Sequence, residues 1–117
     1  MLKAYVYSGC DTCRKALKFL DAKKTAYTAV PIRETPPSLP ELKAMLEAYG
    51  GDLRKLFNTS GRDYKELGLS AKLPAMTEAQ ALALLAKNGN LVKRPFLIGK
   101  TARRVGFREE EWAGPLA

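Results

Sequence analysis

A short apolar run, a turn and a cysteine pair open this chain, in an order that few folds accommodate. Residues 3–7, which include Ala4-Tyr5-Val6-Tyr7, read as a strand by their β-branched and aromatic content, and Ser8-Gly9 as a turn. Cys10-Asp11-Thr12-Cys13 then stands at the head of a helical pattern. Cys13, Ala16, Leu17 and Leu20 keep the i, i+3, i+4, i+7 spacing of a buried helix face, with Arg14, Lys15, Lys18 and Asp21 on the other side. A second strand over 26–30 completes a β-α-β unit, whose crossover is expected to be right-handed. A cysteine at a helix N-terminus faces unpaired N–H groups and about half a positive charge, which favour a thiolate over a thiol.

Cysteine arithmetic narrows the chemistry. The chain has two Cys and no His. A zinc site needs about four ligands, so a metal role is not expected. A disulfide across two intervening residues closes little chain entropy and would stabilise weakly. Met1-Leu2-Lys3 runs directly into the first strand without an apolar leader segment, so the expected compartment is the reducing cytoplasm. There, paired cysteines are usually transient and functional. A redox or nucleophilic role for Cys10 follows.

The 117 residues are expected to form one domain over 1–117, and 46% hydrophobic content is ordinary for a globular chain. No apolar run approaches the roughly 18–20 residues of a membrane span. Twenty basic against 12 acidic residues give a net charge of +8. That favours anionic partners such as oxyanions or acidic proteins. The basic residues are scattered and lack the interleaved aromatics of a single-strand groove, so direct nucleic-acid binding is not expected.

The middle of the chain reads as a helical insertion over about 38–88, with three or four short helices. Pro31, Pro36 and Pro37 break the preceding pattern. Ser38-Leu39-Pro40-Glu41 is a capping box, and Leu39, Leu42, Leu46 and Tyr49 form an apolar stripe that Gly50-Gly51 ends. Asp52 can cap a short helix carrying Leu53, Leu56 and Phe57, and Arg62 to Leu67 is a further helical piece stopped at Gly68. Thr77-Glu78-Ala79-Gln80 is a second capping box, leading a helix through Lys87. Phe96-Leu97-Ile98 and Arg103-Arg104-Val105 then form a hairpin, and Glu109-Glu110-Glu111 opens a last helix with acids suited to its dipole. Trp112 is read as a packing or rim residue.

Arg94-Pro95 stands immediately before the third strand. Pro95 lacks a ladder donor and belongs at a strand's first residue or edge, in either the trans or the cis form. Arg94 is either solvated or, if the third strand lies beside the first, brought to the Cys10 turn. Arg108 follows the fourth strand and can approach the same end.

Together, the strand–Cys10-x-x-Cys13–helix unit, the Glu34-Thr35-Pro36-Pro37 segment, the helical insert and Lys93-Arg94-Pro95 resemble the arsenate reductase/Spx family across 1–113. This resemblance implies an α/β, thioredoxin-like fold: a mixed four-stranded sheet flanked by helices, with the insertion between the second and third strands. In one branch, the glutaredoxin-coupled arsenate reductases, the nucleophile matches Cys10, the Arg-Pro arginine matches Arg94, and a further anion-binding arginine matches Arg108. The other branch, the Spx-type regulators, carries a redox-switchable Cys-x-x-Cys, matched by Cys10 and Cys13, and binds the C-terminal domain of the RNA polymerase α subunit. Two departures stand out. Arsenate reductases usually have a hydroxyl residue where this chain has Cys13, and an arginine where it has Asn58.

As an enzyme, the chain is expected to use Cys10 to attack a small oxyanion or a disulfide. N–H groups of Asp11, Thr12, Cys13 and Arg14 would bind anionic oxygens, as helix N-termini do. Arg94 beside Pro95 supplies a planar charged fork, Arg108 a second positive charge, and Thr12 or Arg14 tunes the thiol. Cys13 resolves the adduct, or an external thiol does so first. With no His, no imidazole base assists. No cofactor is expected to be bound; glutathione/glutaredoxin or thioredoxin is the expected external reductant. As a regulator, the same pair would be a sensor read by the polymerase subunit.

Overall fold

A computed structural model describes residues 2–113; Met1 and residues 114–117 of the expected 1–117 domain lie outside the described residues. The chain runs β1 (Lys3–Val6), α1 (Asp11–Ala22) and β2 (Thr28–Pro31), then α2 (Leu39–Ala48), α3 (Arg62–Glu66), α4 (Leu69–Lys72) and α5 (Glu78–Lys87). It closes with β3 (Phe96–Ile98), β4 (Arg103–Val105) and α6 (Glu109–Trp112). Single 3-10 turns at Leu53–Leu56, Leu73–Ala75 and Gly89–Leu91 link the inserted helices.

The strands form one mixed sheet in the order β2-β1-β3-β4. β1 pairs parallel with β2 and antiparallel with β3, and β3 pairs antiparallel with β4. Strand periodicity splits the core into two layers. Ala4 and Leu97, partners in the ladder, face α1 and α6, packing with Ala16, Leu20 and Trp112. Tyr5, Phe96 and Ile98 face the insertion and pack with Leu42, Met45 and Leu85. Tyr5 and Phe96 meet edge to face at 5.7 Å, a favoured aromatic geometry. A mixed four-stranded sheet flanked by helices, with the helical insertion between β2 and β3, is the thioredoxin-like arrangement.

Local signals set the helix ends. Both capping boxes form: Ser38 with Glu41 at α2, and Thr77 with Gln80 at α5. The structure differs from expectation at two places. β2 begins at Thr28, whose N–H donates to the Leu2 carbonyl at 2.8 Å, while Tyr27 turns to the α1 layer and bonds Asp21 at 2.9 Å. Leu39, expected on the buried stripe of α2, is 51% exposed, because it occupies the first helical position ahead of Pro40. α4 and the Leu73–Ala75 turn, held by buried Leu69 and Leu73, make α2–α5 four inserted helices, within the three or four expected. Trp112 is fully buried, the packing alternative of its reading. No helix among the described residues is long and apolar enough to cross a membrane.

Candidate active site

Sheet topology collects the chemistry at one end. β1, β2 and β4 run in the same direction, and β3 runs against them. The segments after β1, β2 and β4, and the segment before β3, therefore meet at a single edge of the sheet. They carry Cys10, Arg33, Arg108 and Arg94 respectively. β3 does lie beside β1, the condition on which Arg94 reaches the Cys10 turn.

Cys10 is the N-cap residue of α1, in extended conformation (φ −101°, ψ 113°) and half-buried. Its N–H donates to the Tyr7 carbonyl at 3.0 Å, closing the turn. Its Sγ accepts the Cys13 N–H at 3.2 Å, a bond that a thiolate accepts more strongly than a thiol. Cys13 lies one helical turn on and is 1% exposed. Burial, and then the bond with the neighbouring Cys10 thiol, push the Cys13 thiol up to about 12; a Tyr7 backbone bond and the Arg94 charge pull the other way. Both cysteines are free thiols. One is accessible at the helix start, and the second is held protonated directly behind it.

Arg94 precedes a cis Arg94-Pro95 bond, with Pro95 buried. Its guanidinium carbon lies 5.0 Å from the centroid of the Tyr7 ring. Arg33 reaches the same ring at 4.8 Å. Arg94 Nη1 is buried with no hydrogen-bond partner. Two cavities open from Arg94. The larger, about 590 Å³, brings Thr12, Arg94 and Arg108 together with Arg54, Lys55 and Lys93. The smaller, about 330 Å³, is lined by Tyr7, Arg33, Asn58, Arg62 and Arg94, with Asp63 at one side. Cys10 itself lines neither cavity; Tyr7 of the smaller and Thr12 of the larger stand either side of it in the chain.

The other expected residues take different positions. Arg14 donates from Nη1 to the Ser8 carbonyl at 2.6 Å and pairs through Nη2 with Asp11. Asp11 and Arg14 thus brace the outside of the thiol turn and line neither cavity. Arg108 is the exposed N-cap residue of α6, its Nε 3.9 Å from Glu111. Arg33, Arg54 and Lys55 were not singled out in the sequence, and Lys93 entered only as part of Lys93-Arg94-Pro95. Only Arg33 carries a usable signal, since it follows a strand parallel to β1.

The chain is similar to known proteins over nearly its full length. The ArsC family model matches residues 5–114. The uncharacterized protein YusI of Bacillus subtilis (strain 168) is 46% identical over 95% of this chain and 94% of its own length. The global transcriptional regulator Spx of Listeria innocua is 28% identical over 95% of this chain and 83% of its own. Among solved structures, an ArsC family related protein from Bacteroides fragilis superposes with TM-score 0.90 at 46% identity, over 96% of this chain and 94% of that one. A possible arsenate reductase from Streptococcus mutans UA159 gives TM-score 0.89 at 38% identity, over 97% and 98%.

Proposed function

Since the chain belongs to the ArsC family, we propose that it is a thiol-dependent oxidoreductase, with Cys10 as nucleophile, Cys13 as resolving thiol, and Arg94 and Arg108 as anion-binding cations. The observation that carries the reading is the accessible Cys10 Sγ at the start of α1, with the protonated Cys13 thiol buried behind it.

With a disulfide substrate, the Cys10 thiolate attacks one sulfur, forms a mixed disulfide and releases the other half as a thiolate. Cys13 then gives its proton to the first released thiolate or to water and attacks Cys10 Sγ, releasing the second thiolate. The substrate gains two electrons and the protein is left with a Cys10–Cys13 disulfide. With arsenate, Cys10 sulfur bonds to arsenic as water leaves. Attack by a second thiol on Cys10 Sγ passes the S–As electron pair to arsenic, reducing As(V) to As(III). In both cases an external thiol, glutathione/glutaredoxin or thioredoxin, restores the dithiol, and no bound cofactor is needed. The expected setting is the cytoplasm. The deciding experiment follows NADPH oxidation with arsenate or oxidised glutathione, using glutathione–glutaredoxin and thioredoxin systems separately. Turnover lost in Cys10→Ser supports the proposal; no turnover with any pair would sink it.

The Cys-x-x-Cys pair and the likeness to Spx favour one second reading. In it, oxidation of the pair shifts α1 and Arg94, and a protein partner reads the change, the RNA polymerase α C-terminal domain being the partner the family resemblance implies. A pull-down with that domain, with and without reductant, separates the readings; no binding in either state counts against the regulator.

A further inference from the structure

Arg33 and Arg94 converge on one aromatic ring. Their guanidinium carbons lie 4.8 and 5.0 Å from the Tyr7 centroid, hence no more than about 10 Å from each other. Among the described residues neither forms an ion pair. Arg94 Nη1 is buried with no acceptor, an arrangement that costs free energy until an acceptor arrives. Both arginines line the 330 Å³ cavity that also holds Asn58, the position at which the family resemblance calls for an arginine. The cavity also holds one carboxylate, Asp63, whose Oδ2 accepts the side-chain amide of Asn88 at 3.0 Å and that of Asn90, itself a lining residue, at 3.4 Å. Arg62 also borders the cavity, but it is 85% exposed and pairs with Glu66 at 3.7 Å.

One wall of the cavity, Tyr7, belongs to the turn that presents Cys10. Tyr7 accepts the Cys10 N–H through its carbonyl, and a Cβ added at Gly9 would lie 2.7 Å from the Tyr7 ring. The ring therefore lies against the turn that presents Cys10.

We propose that Arg33 is a further anion-binding arginine of the Cys10 site, sharing the Tyr7 ring with Arg94. It supplies the positive charge missing at Asn58, and with Arg94 it binds a carboxylate or tetrahedral oxyanion on the molecule that Cys10 attacks. The inference rests on Cys10 as nucleophile, and its test separates the two claims.

The probes are iodoacetate, which carries a carboxylate, and iodoacetamide, which does not; modification of Cys10 is followed by peptide mass. The native protein is expected to favour iodoacetate relative to a free cysteine peptide. Arg33→Gln should slow iodoacetate by about 3- to 10-fold, the loss of one partly screened charge at this range, and leave iodoacetamide within about twofold. Arg33→Lys should recover part of the loss, and Lys43→Gln, at an exposed lysine of α2 that lines neither cavity, should change neither rate. An iodoacetate-to-iodoacetamide ratio equal in the native and Arg33→Gln proteins overturns the proposal. Titration with inorganic phosphate and with acetate, followed by amide chemical shifts, distinguishes the oxyanion from the carboxylate. Binding of one that weakens in Arg33→Gln supports the site, and binding of neither to the native protein overturns it. Cys10 inert to both alkylating reagents would sink the nucleophile reading, and the anion site would then stand or fall on the titrations.

Discussion

The Cys13 N–H donates to Cys10 Sγ at 3.2 Å, while the Cys13 side chain is only 1% exposed. The two thiols thus touch through backbone yet differ in access. With its thiol pushed up to about 12, Cys13 has a thiolate fraction on the order of 10⁻⁴ at pH 8. Alkylation of the native protein at that pH is expected to modify Cys10 alone, with Cys13 reacting only after denaturation. In Cys13→Ser, Cys10 should still react, but mixed disulfides should accumulate and turnover fall by about tenfold or more. Mass spectrometry of the intact protein reads both; equal labelling of the two thiols would contradict the arrangement.

Burial of Cys13 also shapes stability at high pH. The unfolded thiol titrates near about 8.5, and the folded one is pushed up to about 12. Between those values the unfolded chain has lost the proton and the folded chain keeps it, so stability falls as pH rises. Tyr5 acts with the same sign above about 10, because burial, and then its bond to Glu41, push its phenol up to about 12. Urea midpoints are expected to drop steadily from about pH 9 to pH 11. Cys13→Ser should flatten the first part of that decline and Tyr5→Phe the second.

Glu41 ties the sheet to the insertion. It accepts the Tyr5 hydroxyl at 2.6 Å, the Lys3 ammonium at 3.0 Å and the Ser38 N–H at 3.0 Å. Burial pulls its carboxyl upward, but the bonds from Tyr5, the Ser38 backbone and Lys3 outweigh it and hold the carboxyl below its ordinary value. Its contribution is therefore present above the unfolded carboxylate pKa and lost as pH falls through the lowered folded one. Tyr5→Phe should cost about 1.5–3 kcal/mol near neutrality, the range for a hydrogen bond to a charged group. Ser38→Ala should cost about 1 kcal/mol through the cap. Chemical denaturation at pH 7 and pH 3 checks both; a Tyr5→Phe loss that does not shrink at pH 3 would contradict the role of the carboxylate.

Sequence legibility followed the range of the signal. Both capping boxes, the face of α1 and the β3–β4 hairpin rest on contacts within a few residues, and all are visible in the pattern. α4 is four residues long and depends on Leu69 and Leu73 reaching a core built by distant helices, so its own composition says little. The site divides in the same way. Cys10, Cys13, Arg94 and Arg108 carry a motif or a position beside a strand. Arg54, Lys55 and Lys93 are ordinary surface cations until the 3-10 turn at Leu53–Leu56 and the approach to β3 bring them around one cavity. Arg33 was within reach of the sequence, because a β-α-β unit makes β2 parallel to β1 and delivers the residue after it to the Cys10 end.

Gly89 joins this placement to the fold. A Cβ there would lie 1.8 Å from the Ile32 carbonyl oxygen, 2.7 Å from its carbonyl carbon and 3.1 Å from Arg33 Cα. All three are backbone atoms of the segment leaving β2, so no side chain can swing away to make room. Gly89→Ala is expected to cost about 3 kcal/mol, at the upper end for overpacking. It should also displace Arg33, lowering the iodoacetate preference of Cys10 while sparing the iodoacetamide rate. Gly51→Ala is the matched control. Its added Cβ meets nothing within 4 Å, and only its φ of +82° resists the change, so a loss of about 1 kcal/mol is expected, with the alkylation ratio intact. Urea denaturation and the paired alkylation rates measure both variants. If Gly89→Ala matches Gly51→Ala in stability and in alkylation ratio, the contact at Ile32 does not hold Arg33 in place.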